Sequence, residues 1–77
     1  MSSSVDRVIE LLAAQLDIDE DKITSKTNIS EDLGADSLDV IELMMSVEEE
    51  FGVVIAEDEV VNFKTVADVA RFIDENV

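Results

Sequence analysis

Proline is absent from the 77 residues and glycine occurs only as Gly34 and Gly52. The chain therefore has almost none of the residues that punctuate regular backbone. With so few breakers and many Ala, Leu, Glu and Asp residues, the expected fold class is all-α. One domain spanning 1–77 is expected, because a chain of this length supports a single core. Hydrophobic residues are 47% of the chain, enough for that core. No cysteine staples it, so stability must come from amphipathic packing.

Helical spacing organises the chain into segments. Val5, Val8, Ile9, Leu12, Ala13 and Leu16 predict a helix over about 4–16, with N-cap candidates in Ser2-Ser3-Ser4 and a capping-box pattern in Ser3 and Asp6. Residues 17–35 are polar and broken, a long connection for a compact domain. Ile18, Ile23, Ile29 and Leu33 are spaced through it and are expected to pin it to the core. Asp17, Asp19 and Asp21 copy the first ligand positions of a calcium loop, but Lys22 and Asn28 replace its glycine and its bidentate glutamate. No specific calcium site is expected there, only weak divalent-ion binding.

A second helix is predicted over about 37–51, capped by Asp36, with Asp39 in its first turn and Gly52 as its left-handed stop. Glu57-Asp58-Glu59 opens a short helical segment through about Val61. Thr65, with Asp68 three residues on, caps a last helix whose inner stripe is Val66, Val69, Ala70 and Ile73, with Phe72 beside it. The architecture expected is a small bundle of three principal helices plus a short third helix, with a long first loop.

Twenty acids stand against five bases, for a formal net charge of −15. Nucleic acid and anionic membrane surfaces would repel such a chain. Basic patches on other proteins would attract it, in a salt-dependent way. No apolar run approaches membrane-spanning length, and the N-terminus lacks the apolar segment of a secretory signal. Freedom from cysteine fits a reducing compartment. A monomeric, cytoplasmic protein is expected, with no membrane insertion and no nucleic-acid partner.

The second helix carries one apolar stripe too many. With residues about 100° apart around the axis, Val40, Leu43, Met44, Val47 and Phe51 share one direction, an ordinary core-facing stripe. Leu38, Ile41 and Met45 share another, centred about 130° away. Glu42 and Glu49 border this second stripe on one side and Glu48 on the other. An apolar strip with a charged rim resembles a protein interaction surface, and methionine makes it adaptable. A central helix buried on two sides would show the same pattern. Ser37, which begins the same face, favours the interaction reading.

Ser37 is a hydroxyl at the mouth of that helix in a chain with no histidine and no cysteine. A serine nucleophile needs a general base or a metal, and no histidine exists to serve as that base. It therefore reads as a place where another enzyme attaches something, with catalytic residues expected nowhere in the chain. The N–H groups and dipole at the helix start would favour a phosphate ester there. Gly34 removes side-chain bulk just upstream.

Asp32-Leu33-Gly34-Ala35-Asp36-Ser37-Leu38-Asp39, with Glu42-Leu43, Glu48-Glu49-Glu50-Phe51 and Thr65-Val66, resembles the acyl carrier protein family over essentially the whole chain. The stand-alone carriers of bacterial type II fatty acid synthesis are the most similar. The resemblance implies that Ser37 accepts 4′-phosphopantetheine from coenzyme A, through a separate magnesium-dependent phosphopantetheinyl transferase. Acyl chains then ride as thioesters on the arm's thiol, tethered so that local concentration does the delivery, and the protein itself catalyses nothing. It further implies that Asp36, Asp39, Glu42, Glu48 and Glu49, helped by Glu57 and Asp58, meet basic patches on fatty acid synthesis enzymes. Leu38 and Met45 supply the apolar part of that contact, in line with the stripe that includes Ile41. Val40, Leu43, Val47, Ile55 and Val60 are implied to line the shelter of a growing acyl chain.

Two positions depart from the family pattern. Ala56 stands where proline is frequent, so the start of the third helix is expected to be less rigid. Val60-Val61-Asn62-Phe63 is more apolar than usual, which either narrows the acyl pocket or adds a partner contact. Carriers of the same fold also serve polyketide, peptide and D-alanine transfer, and an acidic helical interaction module is the alternative from a different class. The acidic second helix favours the fatty acid system.

Overall fold

A computed structural model describes residues 3–77. Within it lie α1 (Ser4–Leu16), α2 (Ser37–Phe51), α3 (Glu57–Val60) and α4 (Val66–Asn76), with one 3-10 turn at Glu20–Lys22. Ser2, one of the N-cap candidates, lies outside the described residues. The all-α bundle of three principal helices and one short one is as expected, with α3 ending at Val60 rather than Val61.

Each long helix starts with the same device. Ser3 and Asp6, Asp36 and Asp39, and Thr65 and Asp68 form three reciprocal capping boxes. In each, the cap side chain accepts the N3 backbone N–H while the N3 aspartate accepts the cap's own N–H. Each cap contributes about 1 kcal/mol. Asp68 is held most firmly: it accepts backbone N–H groups from Lys64 at 3.0 Å and Thr65 at 3.1 Å. Those two donors hold its carboxyl below its ordinary pKa, against a smaller opposing effect of burial.

The helix ends follow different chemistry. Gly52 stops α2 at φ 67°, the left-handed region that glycine enters without a Cβ penalty. Asp17 stops α1 at φ 56°, where a short polar side chain is the next best tolerated. There the Ile18 N–H reaches back to the Ala13 carbonyl at 3.0 Å, closing the helix end.

α1 runs antiparallel to α2. Near the end of α1, the Gln15 side chain donates to the Asp39 carbonyl at 2.7 Å in the first turn of α2. Near the start of α1, Arg7 pairs with Glu50 in the last turn of α2. At its start α1 also meets the end of α4, through the Ser4 hydroxyl and Asp74. Val8, Leu12, Leu43, Val47, Val66, Val69 and Ile73 fill the space between the helices. The wedge of Phe72 against Phe63, ring centroids 5.6 Å apart and edge to face, closes the α3–α4 side.

The 17–35 connection is fastened in two ways. Ile23 and Ile29 are buried, while Ile18 and Leu33 pack half-buried against the core, as the aliphatic spacing predicts. The second fastening is backbone. The carbonyls of Thr27 and Ser25 accept the N–H groups of Val66 at 3.2 Å and Ala67 at 2.9 Å, and the Ile29 N–H donates to the Lys64 carbonyl at 2.9 Å. The loop thus satisfies the donors that α4 leaves open in its first turn. Both groups are paired instead of facing the core unsatisfied.

Candidate functional site

The segment that delivers Ser37 to the surface is set residue by residue. Asn28 and Asp32 close a tight turn: Asp32 accepts the Asn28 N–H at 2.8 Å, and the Asn28 side chain accepts from Ser30 at 3.0 Å and Glu31 at 2.8 Å. Gly34 then takes φ 69°, and a Cβ built there would have nothing within 4 Å. Within this chain its glycine is thus required by backbone conformation, not by crowding. Ala35 is buried and plugs the chain into the core. Asp36 caps α2, accepting the Asp39 N–H at 3.0 Å while Asp39 accepts the Asp36 N–H at 3.3 Å. Ser37 follows as the first, exposed residue of the helix. No hydrogen bond links either carboxylate to its hydroxyl.

α2 presents its two stripes as the 100° rotation requires. Val40, Leu43, Met44 and Val47 are buried and Phe51 is half-buried. Leu38, Ile41 and Met45 are 61%, 48% and 59% exposed. The second stripe is therefore an uncovered surface of the chain, not a second buried side. Glu42 and Glu49 are exposed along its edge, and Glu57 and Asp58 are exposed on α3.

Glu48 is differently employed. It is half-buried, and its carboxylate accepts the Ile55 N–H at 2.8 Å, bracing the irregular segment that follows α2. Asp36 and Asp39 are likewise committed to capping, with Asp36 still exposed and Asp39 half-buried. Of the acids placed along α2 by sequence reasoning, Glu42 and Glu49 are the two with no structural task among the described hydrogen bonds.

Two grooves flank this face. One, of about 410 Å³, is lined by Ser37, Val40, Val60, Val61, Phe63 and Lys64 with Asn28, Ser30 and Glu31. The other, of about 540 Å³, lies lower on α2 between Met45, Ser46, Glu42, Glu48 and Glu49 and the segment Val53-Val54. Of the five residues assigned to an acyl shelter, Val40 and Val60 meet in the groove beside Ser37. Leu43 and Val47 are fully buried in the packed core and Ile55 is half-buried, so these three line neither groove.

Val54, 87% exposed, and Val61, 75% exposed, extend the apolar surface beyond the stripe that the sequence reading identified. Val54 stands between buried Val53 and half-buried Ile55 and turns outward. Val61 was marked in the sequence by the unusually apolar 60–63 run, but Lys64, Asn28 and Ser30 carried no signal, because only tertiary contact brings the 28–31 turn and the 60–64 segment to the same wall.

Comparison with known proteins agrees with this geometry. The family described as "Phosphopantetheine attachment site" matches residues 6–73. Among solved structures, the acyl carrier protein from Enterococcus faecalis, described for its high thermal stability, superposes with a TM-score of 0.81 at 31% identity. That match covers 96% of this chain and 94% of the other. No helix among the described residues is long and apolar enough to cross a membrane. A serine delivered to an exposed helix start, an uncovered apolar stripe beside it and a family match over nearly the whole length converge: the chain belongs to the phosphopantetheine-attachment family and is built as an acyl carrier protein.

Proposed function

We propose that Ser37 is the residue that carries 4′-phosphopantetheine, and that the chain shuttles acyl groups among fatty acid synthesis enzymes in the cytoplasm while catalysing nothing itself. The observation that carries this reading is the position of Ser37: exposed, first in α2, without a base, and contiguous with the Leu38-Ile41-Met45 stripe. The residues around it fit the group. A phosphate ester on the hydroxyl suits the helix start, and the neighbouring groove offers both polar and apolar walls to an arm of mixed polarity.

When bound, the arm supplies a terminal thiol, the reactive group this cysteine-free chain lacks. The chain's own residues do the remaining work. The Asp36–Asp39 capping box fixes the helix start so that Ser37 enters a transferase's site in one geometry. Leu38, Ile41 and Met45 supply apolar contact area, and Glu42, Glu49, Glu57 and Asp58 steer basic partners toward it. Of the two roles open for the apolar 60–63 segment, exposed Val61 fits a partner or arm contact and half-buried Val60 fits the lining of a shelter.

Intact mass after incubation with coenzyme A, magnesium and a broad-specificity phosphopantetheinyl transferase tests the attachment. One phosphopantetheine is expected on the wild type and none on Ser37→Ala. An unchanged wild-type mass, with the transferase active on another carrier, would refute it.

A further inference from the structure

The groove beside Ser37 contains a cation, Lys64, in a chain whose acids outnumber its bases twenty to five. Of the five basic residues, Arg7 is paired with Glu10 and with Glu50, at the opposite end of α2 from Ser37. Lys22 and Lys26 belong to the first connection, and Arg71 lines a separate groove with Glu59, Asp68 and Glu75. Lys64 alone shares the wall with Ser37. Its backbone is pinned from both sides, the carbonyl accepting from Ile29 at 2.9 Å and the N–H donating to Asp68 at 3.0 Å. Its side chain is exposed and, among the described residues, is in no ion pair. Glu31 is the acid on the same wall, and no ion pair joins the two.

From this we infer that Lys64 anchors the arm's phosphodiester, laying the first part of the arm along the groove instead of leaving it free in solvent. The inference rests on attachment at Ser37. A phosphodiester adds one more negative charge to a chain already at −15, beside Asp36, Asp39 and Glu31. An ammonium on a flexible stem rooted in the same wall offsets that repulsion. The apolar wall of Val60, Val61 and Phe63 receives the gem-dimethyl group that follows the phosphate. The Ser30 hydroxyl and the Lys64 stem border the same space. This gives the unusually apolar 60–63 segment a role toward the arm: Val61 is exposed because its contact is made only after modification.

The test compares the fully modified wild type with modified Lys64→Gln and Lys64→Arg, each verified by intact mass and by an unchanged amide spectrum outside the groove. The readouts are phosphorus-31 relaxation of the phosphodiester and nuclear Overhauser contacts from the gem-dimethyl protons to Val61 and Phe63. An exposed charge pair biases a docked population by about two- to fivefold. Contacts should therefore weaken about that much in Lys64→Gln, recover in Lys64→Arg, and fade with added salt. Wild-type modification with an arm that is equally mobile in all three proteins would overturn the inference while leaving attachment at Ser37 intact. Failure of the mass change itself would overturn the attachment reading, and the anchor with it.

Discussion

Met44 and Met45 are chemically identical neighbours that α2 turns to opposite fates: Met44 is 3% exposed and Met45 59%. Truncating each to alanine removes the same atoms, so any difference in outcome reports on surroundings alone. At Met44 the loss combines the transfer term with a cavity between α2 and the core, together about 2–5 kcal/mol. A 77-residue domain has a total stability of only about 4–12 kcal/mol. At Met45 most of the side chain already meets water, and the expected cost is within about 0.5 kcal/mol. In urea, with a slope of about 1 kcal/mol per molar for a domain this small, the Met44→Ala midpoint should fall by about 2 M or more. Met45→Ala should hardly move it. Met44→Leu, which conserves volume, is the control for misfolding and should cost less than about 1.5 kcal/mol. The functional readout runs the other way: Met45→Ala should weaken docking to a basic synthase partner about fivefold or more, the effect of a contact worth about 1 kcal/mol. Equal midpoint losses for the two alanine variants would show that the second stripe is covered in the folded chain, and the interaction surface would be lost with it.

Four further outcomes follow from the caps, the backbone and the acidic face. Because the Asp68 carboxyl titrates below its ordinary value of 3.8 in the folded chain, its stabilisation is complete above the unfolded pKa and disappears as pH falls through the folded one. The stability gap between wild type and Asp68→Asn should thus be constant near neutrality and shrink below about pH 4; a gap independent of pH down to 2 would contradict the assignment. Ala56 lies at φ −74°, ψ 150°, a conformation proline adopts without strain. Ala56→Pro should therefore raise stability by about 0.4–1 kcal/mol through the unfolded state, and a fall in the thermal midpoint would refute this. Glu48→Ala should cost about 1 kcal/mol by releasing the Ile55 N–H. Glu42→Lys with Glu49→Lys should leave stability almost unchanged and weaken partner binding, as titration calorimetry at two salt concentrations would show.

Much of the fold was legible because it is written in local chemistry. The three capping boxes pair residues three apart, so their geometry is a property of one turn of chain. The α2 stripes follow from the helical repeat, and Gly52 announces the end of that helix. Asp17 was harder to read as a helix stop, since aspartate enters the left-handed region far less readily than glycine. The hydrogen bond from the Ile55 N–H to Glu48 was not legible, because Ile55 is seven residues away in a segment with no regular repeat. The rotation of α2 places Glu48 and Glu49 on opposite sides of the stripe but does not show that one of them is hydrogen-bonded.

The sequence by itself determined the helices, their caps, the second apolar stripe and the exposed serine at its head. Each of these depends on periodicity or on residues within one turn. Tertiary structure alone decided that the stripe stays uncovered. A helix with two apolar faces can be buried on both, and only the placement of α1, α3 and α4 settles which face meets water. It also decided what lies beside Ser37. The 28–31 turn and the 60–64 segment are more than 25 residues apart in the chain. They meet because the first connection completes the α4 N-terminus, through Ile29, Thr27 and Ser25. Backbone pairing of that kind is sequence-tolerant, since every residue but proline offers the same donor and acceptor, and it leaves no side-chain pattern to read.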